Sequence, residues 1–312
     1  MSRIRIFFLF FLLFAGCGMR EGEERGKPIV ATSFYPMYDF AKKIGGEEME
    51  IFCLIPDGME VHDWEPTPRD MARLQKADAL IYNGAGMEHW IPAVLETLRG
   101  KDISILETSQ GISLCEGGCC AEHHHGHPHH HDHANHHDPH VWLAPQNARH
   151  QMAQICALFV TLDPENRAVY ESRLEKYSRE CDVLDTEFRE MVESMPNRNI
   201  LVTHAAFAYL CKAYGLTQVA LEGSFASSDP EPAKMAEMIR FAREHQIGVI
   251  YRESTTASKV ADALAKEIGG RVAVLDPLEK LSQERQAAGE DYFSVMRQNL
   301  QALQNLQVLQ GK

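Results

Sequence analysis

Between Asp163 and Pro196 the sequence carries one apolar stripe: Tyr170, Leu174, Tyr177, Cys181, Leu184, Phe188, Met191 and Met195 recur at alternating spacings of four and three. Residues so spaced share one face of an α-helix, so the run predicts a single helix. Asp163 caps it, Pro164 takes the first helical position and Pro196 ends it. At 1.5 Å per residue, about 31 residues span about 46 Å, more than the width of a small domain. The positions between are largely charged. Such a stripe is buried either in a coiled-coil dimer or against flanking domains, and the flanking sequence favours the second.

On both sides the sequence alternates between short strands and helices, which implies parallel sheets. Before the long helix, strands are expected at Ile29–Ser33, Met49–Ile55, Ala79–Tyr82 and Ile103–Leu106. Helices are expected at Pro36–Ile44, from Thr67, at Glu88–Leu98 and at Pro145–Leu162. Thr67-Pro68-Arg69-Asp70 has a capping hydroxyl, a proline at the first position and an acid three residues after the cap. After Pro196, strands are expected at Asn199–Thr203, Gln218–Leu221, Gly248–Arg252 and Arg271–Leu275. Helices are expected at Phe207–Tyr214, Pro232–His245, Ser258–Ile268 and Asp291–Leu309. The fold class is α/β: two parallel-sheet lobes, 28–162 and 196–312, joined by one long helix over 163–195.

Residues 1–16 read as a secretory signal, with Arg3 and Arg5 before a nine-residue apolar run, Ile6 to Phe14. Ala15 and Gly16 then precede Cys17, as in the lipobox of bacterial lipoproteins, where that thiol receives the lipid. Phe14 departs from the usual leucine. Residues 17–27 are polar and form a lipidated tether. No run reaches the ~18–20 apolar residues of a spanning helix, which excludes a polytopic membrane protein. A formal charge of −13 argues against a general nucleic-acid binder.

Of the 16 histidines, eleven lie between His123 and His140. The segment 116–140 is rich in Gly, His and Asp and almost devoid of apolar residues, so it is expected to be a long surface loop. His123, His124, His125, His127, His129, His130, His131, His133, His136 and His137 offer several overlapping weak metal sites there. Each ligand set must be ordered by the ion itself, so no single tight site results. Cys115, Cys119 and Cys120 flank the loop and suit either soft metal ligation or a disulfide. Cys53 and Cys181 fall within apolar patterns, as small buried hydrophobes.

Ligands of open parallel sheets gather beyond the carboxyl ends of the strands. His204 follows Thr203 directly, and Asp276 follows Leu275. His62 lies a short loop after Ile55, and His140 ends the loop after Leu106. Three imidazoles and a carboxylate, two groups from each lobe, form a set suited to a first-row divalent cation in an interlobe cleft, zinc above all. Read singly, each has a blander role: His62 as a surface histidine, His140 as the last member of the histidine run, Asp276 as the start of an Asp-Pro turn, His204 as a helix cap.

The segments SFYPMYDFAKKIGG from Ser33, VHDWEPTPRD from Val61, ADALIYNGAGMEHW from Ala77, DPHVWLAPQNAR from Asp138, VTHAAFAYL from Val202 and LDPL from Leu275 resemble the zinc/manganese solute-binding proteins of bacterial metal-uptake ABC transporters. The resemblance covers nearly all of the chain from Pro28 onward. It implies two α/β lobes bridged by a long helix. It places His62, His140 and His204 at the family's imidazole positions and Asp276 at its carboxylate position. Manganese-type members tend to carry a glutamate where His204 stands, so the match favours Zn2+ over Mn2+. Glu60 and Glu253 are candidate acids near the site.

The resemblance further implies a monomeric, lipid-anchored receptor outside the cytoplasm that hands zinc to a membrane permease with its cytoplasmic ATPase. Other readings are a manganese or iron receptor of the same family, an exported zinc hydrolase, or a secondary adhesin role. A hydrolase needs an open coordination position and a placed base. The sequence has no His-Glu-x-x-His, Gly-x-Ser-x-Gly or phosphate-loop motif.

Overall fold

The computed structural model describes residues 26–116, 137–223, 232–254 and 259–305. The signal segment, Cys17, most of the tether, Cys119, Cys120 and the histidines from His123 to His136 lie outside these residues. No helix among the described residues is long and apolar enough to cross a membrane.

The first half contains β1 (Ile29–Thr32), α1 (Tyr35–Gly45), β2 (Glu50–Cys53), α2 (Pro68–Leu74), β3 (Ala79–Tyr82), α3 (Ile91–Leu98) and β4 (Ser104–Glu107). Its sheet is parallel in the order β2-β1-β3-β4. The expected capping box starts α2: Asp70 N–H donates to Thr67, and the Asp70 carboxylate accepts from Thr67 N–H. Helix α1 stops at Gly46, whose φ of +56° suits glycine. A Cβ there would also lie 2.6 Å from the Arg173 guanidinium.

One boundary departs from expectation. Glu88 does not begin α3; it is buried and accepts from Ser33 Oγ, Asn83 N–H and Gly84 N–H. The left-handed residues Gly84, Ala85 and Gly86 need those bonds, so helix starts only at Ile91.

A 3-10 turn (Val141–Leu143) leads into α4 (Pro145–Leu162), and a second (Pro164–Asn166) into α5 (Arg167–Glu193). The expected long helix is thus 27 residues after a tight entry turn, about 40 Å long. Its stripe is the buried one: Tyr170, Cys181, Leu184, Phe188 and Met191 are in the core, with Leu174 and Tyr177 packed against it.

The second half holds β5 (Asn199–His204), α6 (Ala208–Tyr214), β6 (Thr217–Glu222), α7 (Pro232–Glu244), β7 (Val249–Arg252), α8 (Lys259–Ile268) and β8 (Arg271–Val274). Its parallel sheet runs β6-β5-β7-β8, the order of the first sheet repeated, although no sequence repeat shows it. The short α9 (Gln283–Ala287), capped by Ser282, is an element the apolar period did not reveal. The last helix, α10 (Tyr292–Asn305), turns back: Tyr292 packs edge-on against Phe40 of α1, and Arg297 pairs with Glu180 and Glu187 of α5. One apolar core therefore runs from the first sheet through α5 and α10 into part of the second half.

Lys43 of α1 sits inside this junction. Its ammonium is 3.1 Å from Asp39 and 2.7 Å from Asp291 at the head of α10, and lies over the rings of Tyr177 and Phe293. Removing one partner of a buried ionic group strands the others. Lys43→Ala should cost about 3 kcal/mol in chemical unfolding. Arg179→Ala, which breaks the exposed pair with Glu175, should stay within about 0.5 kcal/mol.

Candidate metal centre

The carboxyl ends of both sheets face one another, and four side chains meet there. His62 comes from the loop after β2, His140 from the residue before the first 3-10 turn, His204 from the last position of β5 and Glu279 from the loop after β8. One donor atom from each lies within 4.8 Å of the other three. His140 Nε2 is 2.9 Å from Glu279 Oε1, His62 Nε2 is 3.5 Å away and His204 Nδ1 3.8 Å. The three rings contact one another edge-on. A tetrahedral zinc with bonds of about 2.0–2.1 Å spaces its donors about 3.4 Å apart, so a small contraction fits this group to one ion.

Two of the sequence-derived acids stand elsewhere. Asp276 is buried but fully committed: Oδ1 accepts Leu278 N–H, and Oδ2 accepts Arg285 Nη1–H and Ser254 Oγ–H. Its backbone is locked to the Asn299 amide at both N–H and C=O. The strand-end rule points at the first residue past β8, yet the chain turns once more before its carboxylate reaches the imidazoles. Leu278 takes a left-handed φ of +60°, a cost of about 1–2 kcal/mol for a non-glycine residue. The buried Leu278 side chain and the Asp276 bond hold it there, and the next residue, Glu279, then faces His140. The signal for it was an acid two residues past an Asp-Pro turn. Glu60 is also outside the group; it is half-exposed and pairs with Lys280 at 3.0 Å. Glu253, in contrast, contacts His204 Nδ1.

The His140 segment is held from several sides. Asp138 Oδ1 accepts from both His140 N–H and Nδ1–H, at 2.9 and 2.8 Å, which turns Nε2 toward Glu279. Asn83 Nδ2 donates to Pro139 C=O and Tyr209 Oη to Asp138 C=O. The indole of Trp142 donates to Pro277 C=O, tying the first half to the loop that carries Glu279. His137, the one described member of the auxiliary histidine set, bridges Glu116 at the base of the loop, outside the four-residue group. Cys115, Cys156, Cys181 and Cys211 are buried, and Cys53 is partly buried.

Burial alone would lower the pKa of His140, but the Asp138 and Glu279 carboxylates outweigh it and push it up to about 9. His204 is raised too: burial opposes, and the Glu253 bond prevails. Burial would raise Glu279, yet its bonds to His140 and His62 hold it well below the usual carboxylate range. The same carboxylates thus favour a proton on the imidazoles, and an entering cation competes with that proton.

Residues 30–306 match the family described as zinc-uptake complex component A, periplasmic. The chain is similar to the high-affinity zinc uptake system protein ZnuA of Bacillus subtilis (strain 168), 40% identical over 300 residues, covering 95% of this chain and 94% of that one. It is 33% identical over 291 residues to the zinc-binding lipoprotein AdcA of Streptococcus pneumoniae serotype 4. That match covers 93% of this chain but spans only 58% of the relative's length. In three dimensions it resembles the Zn(II)-bound ZnuA-like domain of Streptococcus pneumoniae AdcA, with a TM-score of 0.77 and 32% identity over 90% of this chain and 99% of that domain.

A raised histidine pKa stabilises the metal-free fold below the ~6.5 of free histidine, and that stability is lost as the pH rises through about 9. Zinc binding at pH 7 should therefore release about one proton or more, measured by calorimetry in buffers of different ionisation heat, falling toward zero above pH ~10. Glu279→Gln should weaken zinc by at least about 100-fold, more than loss of an outer partner would. Asp276→Asn should lower the melting temperature yet keep the zinc within about tenfold of the wild-type affinity.

Proposed function

Because the chain belongs to the family of the periplasmic zinc-uptake complex component A, we propose that it is the extracytoplasmic zinc receptor of an ABC transporter. It captures Zn2+ between its lobes and delivers it to a membrane permease driven by a cytoplasmic ATPase. The observation that carries this reading is the meeting of His62, His140, His204 and Glu279, drawn from both halves of the chain, the last three buried and His62 partly so. Three imidazoles and one carboxylate match zinc in donor type and number, whereas manganese prefers an oxygen-rich set. Four protein donors leave no open position for an activated water, so the receptor reading outweighs a zinc hydrolase.

Binding is an exchange of charges. The ion displaces the proton of His140 and takes its place beside Glu279, and the one positive charge it adds is flanked by the Asp138 and Glu253 carboxylates. Protonation of the imidazoles is the reverse step, so lower pH favours release. Cys17 anchors the receptor by its lipid, the polar tether keeps it near the permease, and it works as a monomer. The histidines from His123 to His137 hold zinc weakly at several overlapping sites.

Deleting Glu122 to Asn135 should leave one tight zinc and remove the weak sites in titration calorimetry, whereas His62→Ala should abolish the tight phase and keep the weak one. In an equimolar mixture the loop-deleted protein should retain zinc rather than manganese. Loss of the tight phase with the loop, or retention of manganese, would overturn the reading.

A further inference from the structure

Strand β7 ends beside the metal centre in a way the four-donor reading does not use. The β5–β7 register pairs Leu201 with Ile250 and Val202 with Tyr251, which brings Glu253, just past β7, alongside His204 at the end of β5. The Glu253 carboxylate meets His204 Nδ1 in a contact far shorter than the 3.8 Å from that nitrogen to Glu279. Its backbone is fixed on either side. Arg252 Nη1 donates to Glu253 C=O at 2.8 Å, and Ser254 Oγ donates to Asp276 Oδ2 at 2.7 Å, the carboxylate under the Glu279 turn. Glu253 is itself largely shielded from solvent.

We infer that Glu253 is a positioning residue for zinc capture: its carboxylate accepts the Nδ1 proton of His204 and fixes the ring beside the other three donors. This rests on the zinc-receptor reading above. Asp138 serves His140 in the same way at 2.8 Å, so two of the three imidazoles have their own carboxylate. A carboxylate on one ring nitrogen sets the tautomer, raises the basicity of the ring and removes its freedom to turn, all before the ion arrives. Because Ser254 braces Asp276, one strand end also steadies both second-half donors, His204 directly and Glu279 through its turn.

The test compares wild type, Glu253→Ala, Glu253→Gln and His62→Ala by competitive zinc titration, with the visible spectrum of the Co2+-loaded forms as the report of coordination. Melting of the metal-free proteins checks folding. Glu253→Ala should weaken zinc about 10–100-fold with the four-coordinate Co2+ spectrum retained. Glu253→Gln, whose amide oxygen still accepts the N–H without the charge, should lie between it and wild type. If Glu253→Ala does not fold, the near-isosteric Glu253→Gln carries the test alone, with at least a threefold loss expected. Wild-type affinity in the variants, or a Co2+ spectrum altered alike in both, overturns the inference, the latter by making Glu253 itself a ligand. Failure of the wild type to bind zinc, or full binding by His62→Ala, instead overturns the four-donor reading.

Discussion

A carboxylate buried among three imidazoles governs this molecule. Glu279 is almost wholly removed from water, and an isolated charge in that position would be unaffordable. It persists because the His140 imidazole, 2.9 Å away, and His62 from the opposite half both stand against it. The arrangement favours a cation inside it, a proton or a metal ion. Everything else in the fold serves to bring these four groups, far apart in sequence, to one point with their far sides satisfied.

Two sheets of the same strand order present their carboxyl ends to each other, and α5 sets the distance between them. The core does not break between the halves; it continues through α5 and α10, with Lys43 tied to both Asp39 and Asp291 at the joint. A wide hinge opening would expose that shared core, so the layout favours entry and exit of the ion through local movement of loops. The loop from Asp276 to Ser282 is the element that carries a donor, is gripped by Trp142 across the cleft and is braced from below by Arg285.

Much of this was legible in the sequence because it rests on periodicity and on strand ends. The stripe from Tyr170 to Met191 gave α5, and the strand-end rule gave His204 and the neighbourhood of His62 and His140. The carboxylate that meets these rings, Glu279, stands three residues past Asp276. Asp276 stands where a strand-end ligand is expected, but the left-handed Leu278 redirects the chain, and no local pattern announces a left-handed leucine. Helix α9 was invisible because five residues make too little of an apolar stripe, although its Ser282 cap was there to be read. The return of α10 onto α1 depends on contacts more than 240 residues apart, such as Lys43 with Asp291, which no window along the chain contains.

The most direct measurement is anomalous diffraction at the zinc edge from crystals of the loaded protein. The account predicts a strong peak between the lobes, about 2.0–2.2 Å from one ring nitrogen each of His62, His140 and His204 and from a carboxylate oxygen of Glu279. A tightly held zinc seated on Asp276, or held outside this group altogether, would contradict it.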